Sequence, residues 1–327
     1  MRLMRRRTWL GGFLALSLGS CVVAAPVDAR AEAPKPLTAA KSAPSGWGSS
    51  SAADDVRAGK PLVIEVFVPL CSDAKGGACG KHPGAGDPDD LESNLYWGAV
   101  WGARRFLERK WLGWTRTESG QGEGWEIERA TYKRTVNGSR WGVDGSVDVY
   151  LVLHAVQGDQ GSEALERFRD KASGGGKIRF HDGSGIREES VHVVGFMGRN
   201  PLLKNGRVPK RVELPEASKS SAAIPSFSIA AYSRETLAPW LQSSGSPALL
   251  LARGAVASEG YLLESIARGL AENDRGWALT ERATKTYSKY KKLPANVAKA
   301  HFSPVLPKQL FEDPKRGSHA SVSTLES

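Results

Sequence analysis

Two dense apolar runs constrain this chain more than anything else in it: Leu62-Val63-Ile64-Glu65-Val66-Phe67-Val68 and Val147-Asp148-Val149-Tyr150-Leu151-Val152-Leu153-His154-Ala155. Runs this rich in β-branched residues are predicted to be strands with both faces covered. Helical spacing follows each of them. The stretch 94–110 sets Leu95, Ala99, Gly102, Ala103 and Phe106 on one face. The stretch 162–171 reads as an amphipathic helix with Ser162 as its N-cap. Further strands are predicted over 191–195, 227–231 and 247–251, and further helices over 234–242, 258–272 and 278–299. Residues 177–180 read as a short strand or hairpin arm. Alternating strands and helices predict a three-layer α/β fold: a mostly parallel, doubly wound sheet with helices on both faces. In such sheets ligands gather beyond the carboxyl ends of the strands, so residues just after each strand carry most of the functional information. Neither G-x-G-x-x-G nor G-x-x-x-x-G-K-[ST] occurs, and Gly84-Ala85-Gly86 is too short to count as a phosphate loop.

The N-terminus has a different character. Arg2, Arg5, Arg6 and Arg7 precede an uncharged run from Trp9 to Val23, too short to span a bilayer comfortably. Residues 1–20 therefore read as an export signal. Leu18-Gly19-Ser20-Cys21 reads as a lipobox, with Cys21 the residue that takes the lipid; the alternative is cleavage further on, for example after Ala31. Arg6-Arg7-Thr8-Trp9-Leu10 is similar to a twin-arginine signal. Residues 21–56, rich in Ala, Pro, Ser, Lys and Gly, read as a lipidated tether. The domain is predicted over 57–312, with a loose tail over 313–327. This places the protein in the cell envelope, facing the periplasm and held to a membrane through its N-terminal lipid. Val22, where some lipoproteins carry an inner-membrane Asp, favours the outer membrane.

The chain carries a net charge of +10, of which the four signal arginines account for four. Basic residues sit beside acids, as in Glu163, Arg167 and Asp170, and no basic stripe interleaves with aromatics. Nucleic-acid binding is not expected. With Cys21 lipidated, Cys71 and Cys79 remain in an oxidising compartment, which favours a disulfide. Free thiols, or a metal held with His82, are the alternatives; that spacing fits no common zinc pattern, and no metal or cofactor is expected.

After the first strand the chain reads Gly86-Asp87-Pro88, then Asn94-Leu95-Tyr96-Trp97-Gly98-Ala99. Farther on come Gly254, Ala257, Glu259 and Tyr261, then Glu281-Arg282-Ala283 and Tyr287-Ser288-Lys289-Tyr290. This pattern, spread over about residues 61–292, resembles an uncharacterised bacterial family. In that family a His after one strand and a Cys after the next look like the dyad of caspase-like peptidases. Here Phe196 and Ala231 stand at the two positions. The resemblance thus implies a caspase-like fold whose catalytic pair is lost.

Other residues offer partial substitutes. His154 ends the second strand, and His192 lies in the third on the face of Val194; both read more readily as structural. Cys71 with His82 or His154 would make a second dyad, unless a disulfide consumes the thiol. Ser233 is open to solvent on this reading but lacks a G-x-S-x-G setting. Asp87, Asn94, Tyr96 and Trp97, with His154, form the possible pocket; the competing reading has Asp87 capping a helix and the aromatics in the core. Trp101, Trp111 and Trp114 make either an aromatic patch or more core. The reading is an exported lipoprotein with a degenerate peptidase-like domain and a binding or scaffold role, its protein or peptide partner unspecified. An active hydrolase using other residues and a periplasmic ligand-binding protein are the alternatives.

Overall fold

A computed structural model describes residues 51–303, apart from 74–78, 123 and 218. These belong to one unit, Pro44–Ser327. The signal at 1–20, Cys21 and the tail at 313–327 lie outside the described residues.

The chain enters through α1 (Ser51–Arg57), inside the stretch read as tether. Ala52, Ala53 and Val56 are buried, so the folded part begins earlier than composition suggests. β1 (Leu62–Pro69) follows, buried along its whole length. A long irregular segment then leads to α2 (Ala103–Leu107). The helix expected over 94–110 is therefore reduced to one short turn. Two glycines explain this: a Cβ on Gly98 would sit 2.2 Å from the Leu91 carbonyl oxygen, and one on Gly102 2.4 Å from the Trp97 backbone. The chain folds back on itself too tightly for a helix, and the Asn94 side chain competes for backbone groups.

Next come β2 (Thr115–Gln121) and β3 (Glu126–Asn137), an antiparallel pair that the sequence reading missed, then β4 (Ser146–Val156). α3 (Gly161–Gly174) follows. Its N-cap position is Gln160, without a side-chain bond, and Ser162 sits inside the first turn rather than capping it. β5 (Lys177–His181) and β6 (Ile186–Ser190) form the small hairpin anticipated near 177–180. β7 (Val193–Met197), β8 (Ser226–Ile229), α4 (Ser233–Ser244) and β9 (Ala248–Ala252) complete the parallel part. α5 (Gly260–Ala271), α6 (Trp277–Lys291), α7 (Ala295–Ala300) and the two-residue β10 (Phe302–Ser303) close the described chain.

The main sheet runs β10-β9-β8-β7-β1-β4-β3-β2. β4, β1, β7, β8 and β9 are mutually parallel, while β3, β2 and β10 are antiparallel additions at the two sides. Apolar side chains fill both faces. Ile64, Val66, Leu151 and Leu153 meet residues of α2, α5 and α6 on one side; Val63, Phe67, Val152 and Phe196 meet those of α3 and α4 on the other. The three-layer, mostly parallel α/β fold is the one predicted. Among the parallel strands, β4 lies on one side of β1 and the later β7, β8 and β9 on the other. The switch point of the sheet is thus at the carboxyl ends of β1 and β7, the place where doubly wound sheets bind ligands. No described helix is long and apolar enough to cross a membrane.

Candidate functional site

The exit of β1 is fixed covalently. Cys71 and Cys79 form a disulfide, eight residues apart. Closing so short a loop contributes about 2–3 kcal/mol by loop entropy. The Asn94 side chain is fully buried and ties four backbone groups together. Its Oδ1 accepts from the Cys71 and Tyr96 amides at 3.0 and 3.1 Å; its Nδ2 donates to the Cys71 and Asp87 carbonyls at 2.9 and 2.7 Å. Asn94 is therefore a pin for the loop and has no spare group for a ligand. Trp97 is buried, its indole N–H donating to Glu128 at 2.6 Å. Asp87 is exposed and caps the local turn at Asp89. Tyr96 packs against the core from its margin. It is half-buried, and burial raises its phenol pKa, with Arg199 opposing and Glu259 adding to the rise.

The exits of β7, β8 and β9 are stitched to one another. Asn200 donates to the Ala231 carbonyl at 2.8 Å and to Thr236 at 2.9 Å. The Tyr232 amide donates to the Gly254 carbonyl at 2.8 Å, and Tyr232 itself is left-handed at φ 56°. Ser233 is buried rather than open. Its hydroxyl donates to the Ser228 carbonyl and accepts from the Ala252 amide at 2.9 Å. Ser258 is buried as well, with its hydroxyl against the Gly198 and Ile229 carbonyls at 2.9 and 2.6 Å. Ser72 donates to Asp159 at 2.8 Å.

Phe196 lies within β7, opposite Ser228 of β8, and is fully buried with its ring edge toward Phe168 of α3. Ala231 lies two residues past the end of β8 and is half-buried. The two positions sit on neighbouring strands. Phe196, however, belongs to the core on the α3 and α4 face, whereas Ala231 is at the strand exit.

His154 is placed elsewhere, in a cluster that the sequence reading did not foresee. Its Nδ1 meets Glu126 Oε2 at 2.5 Å and its Nε2 meets Glu65 Oε1 at 3.0 Å. All three side chains are buried. Lys171 of α3 approaches Glu65 at 3.3 Å, and Arg129 pairs with Glu126. Phe67 stacks on the imidazole at 5.2 Å and Trp125 lies against it at 5.1 Å, with Arg167 over the indole at 4.3 Å. Carboxylates on both ring nitrogens require two N–H donors, hence an imidazolium. Burial works against that charge, but the bonds from Glu126 and Glu65 prevail and raise the His154 pKa. The same bonds, again against burial, lower those of Glu65 and Glu126. The cluster ties β1, β3, β4 and α3 together, with no free imidazole nitrogen for proton transfer. The one local signal was Glu65, a lone acid in an apolar strand that needs a buried partner.

His192 immediately precedes β7. Its Nδ1 accepts from the Val63 amide at 3.0 Å and its Nε2 faces Asp55 of α1 at 3.2 Å. Burial lowers its pKa, against the pull of Asp55. It is a neutral fastener between α1 and the sheet. Trp97 and, largely, Trp114 are core residues; Trp111 and Trp101 remain exposed. Among the described residues no group of three or more His, Cys, Asp or Glu is arranged to hold a metal ion. No protein-family model, curated protein or solved structure matches the chain.

Proposed function

We propose that this chain is an exported, membrane-tethered binding protein whose carboxyl sheet edge holds a partner without cleaving it. One observation carries the reading: the groups at this edge best placed to attack a carbonyl are already committed to structure. The Cys71 sulfur is in a disulfide, and the hydroxyls of Ser72, Ser233 and Ser258 are bonded to Asp159 or to backbone carbonyls. A nucleophile needs a base within hydrogen-bond reach, and His154, the histidine expected there, is held between two glutamates. Phe196 and Ala231, at the positions of the presumed family's His and Cys, supply neither a base nor a thiol, in keeping with a degenerate caspase-like ancestry. A disulfide fits an oxidising compartment, which agrees with the export signal and the lipid site at Cys21.

The test is a reaction of the full chain with a fluorophosphonate and with a cysteine-directed electrophile, read by mass spectrometry of peptides. No labelled residue is expected between 61 and 292. A stoichiometric adduct there would replace this reading with an active hydrolase.

A further inference from the structure

The loop from β7 to β8 leaves the sheet at its switch point. Residues 199–212 hold five cations (Arg199, Lys204, Arg207, Lys210 and Arg211) and no acid. Residues 51–303 as a whole carry a net charge of +5, so the rest of that span is balanced and this one loop holds the excess.

The loop is built rather than loose. Asn200 is buried and bonded to Ala231 and Thr236. Leu202 and Leu214 pack against the core on the α3 and α4 face, and Trp240 of α4 donates to the Pro215 carbonyl at 3.1 Å. The tip is a two-residue turn: Asn205 and Gly206 are left-handed at φ 52° and 72°, and Lys204 and Arg207 exchange both backbone bonds at 3.0 Å. That is the geometry a tight hairpin turn demands. All five cationic side chains are exposed, and none has an ion pair or a side-chain hydrogen bond among the described residues. The acids of the neighbouring β1 loop bond elsewhere: Glu92 with Arg104, Asp89 with Gln157, Asp73 with the Cys79 amide, and Asp87 and Asp90 with nearby backbone; Glu213 and Glu216 follow the loop and are exposed.

Like charges held together and unpaired oppose the folded state. A rigid scaffold that keeps them outward suits a partner that neutralises them. We infer that the 199–212 loop is the docking surface for an acidic protein segment, a run of Asp and Glu carboxylates laid along it. This rests on the binding reading above and names the chemistry of its partner. Three of the five cations are arginines, whose planar fork matches a carboxylate with two bonds. The loop leaves the carboxyl edge of the sheet, whereas α1 leads into β1 at the amino edge.

The experiment uses the full chain and fluorescence anisotropy of a labelled deca-glutamate peptide, with deca-glutamine as the neutral control. Two quadruple variants with equal change in net charge are compared: K204E/R207E/K210E/R211E in the loop, and K110E/K285E/K289E/K299E on exposed lysines elsewhere. The loop variant is expected to weaken peptide binding by about tenfold or more, and the second variant by about twofold at most. Equal loss in both variants, or no loss in the loop variant, overturns the proposal. So does loop-dependent binding to phosphatidylglycerol vesicles, or loop-dependent self-association, without peptide binding. Absence of peptide binding overturns the docking proposal and leaves the non-catalytic reading standing, whereas a covalent adduct at the carboxyl edge removes that reading whatever the peptide does.

Discussion

The buried cluster around His154 and the loop at 199–212 handle charge in opposite ways. In the first, Glu65, Glu126, His154, Lys171 and Arg129 converge from β1, β3, β4 and α3, and each charge meets an opposite one. In the second, five cations of one sign share a single loop and meet no opposite charge among the described residues. The buried charges are spent on holding strands together, and with both imidazole nitrogens occupied they have little left to offer a ligand. The exposed charges are left open on a rigid frame. An ionisable group in this fold is thus a poor guide to function until its partners are known.

The sharpest way to break the comparison is to remove the centre of the buried cluster. His154→Ala leaves two buried carboxylates facing a void. Breaking a buried ion pair from one side costs about 3–5 kcal/mol, so the urea midpoint of this variant is expected to fall by that measure. A loss below about 1 kcal/mol would mean that the glutamates keep their solvation and that the cluster resembles a surface pair.

A smaller effect, with a definite sign, belongs to pH. His154 is raised above its ordinary 6.5, so its contribution to stability is complete below 6.5 and is lost as pH rises through the folded-state value. Glu65 and Glu126 are lowered below their ordinary 4.5, so theirs is present above 4.5 and is lost as pH falls through the depressed values. For these three groups stability is greatest between 4.5 and 6.5 and declines on both sides. Urea unfolding from below that range to above it checks this, and in His154→Ala the alkaline decline attributable to the imidazole should vanish. An unchanged alkaline limb in that variant would assign the decline to other groups.

The parallel part of the fold was legible because burial on both faces leaves a dense local signature. β1, β4, β8 and β9 all fall within about two residues of the expected spans. The antiparallel wing was not. β2 has no buried residue, so it carries no apolar signal at all. In β3 the irregularity between Glu126 and Glu128 shifts the register and breaks the alternation. With that wing unseen, Glu126 had no strand to sit on. The partners of His154 lie 28 and 89 residues away, beyond any local pattern. Asn94 and Trp97 were visible as a cluster, but whether they face a ligand or the core depends on the backbone they pin, which helical spacing misdescribed. The cationic loop was readable in principle. Its excess shows only over a window of the loop's own length, because Glu213 and Glu216 follow closely and offset it in any longer one.

The smallest expected effect sharpens the comparison from the other side. If the loop cations are unpaired in the folded state, reversing four of them should leave stability intact or improve it slightly, by about 0.5–1 kcal/mol, through relief of self-repulsion. Such a gain acts between exposed charges, so it should fade as salt shortens the screening length from about 10 Å at 0.1 M to about 3 Å at 1 M. The measurement is the urea midpoint of K204E/R207E/K210E/R211E against the unaltered chain at both salt concentrations. The backbone pins Asn200, Leu202 and Leu214 are untouched in this variant, so the turn at Asn205 and Gly206 keeps its support. A loss of more than about 1 kcal/mol would show that these cations stabilise the fold through partners within the chain. The loop would then belong with His154 as structural charge, and the acidic segment it answers would have to be sought inside the molecule.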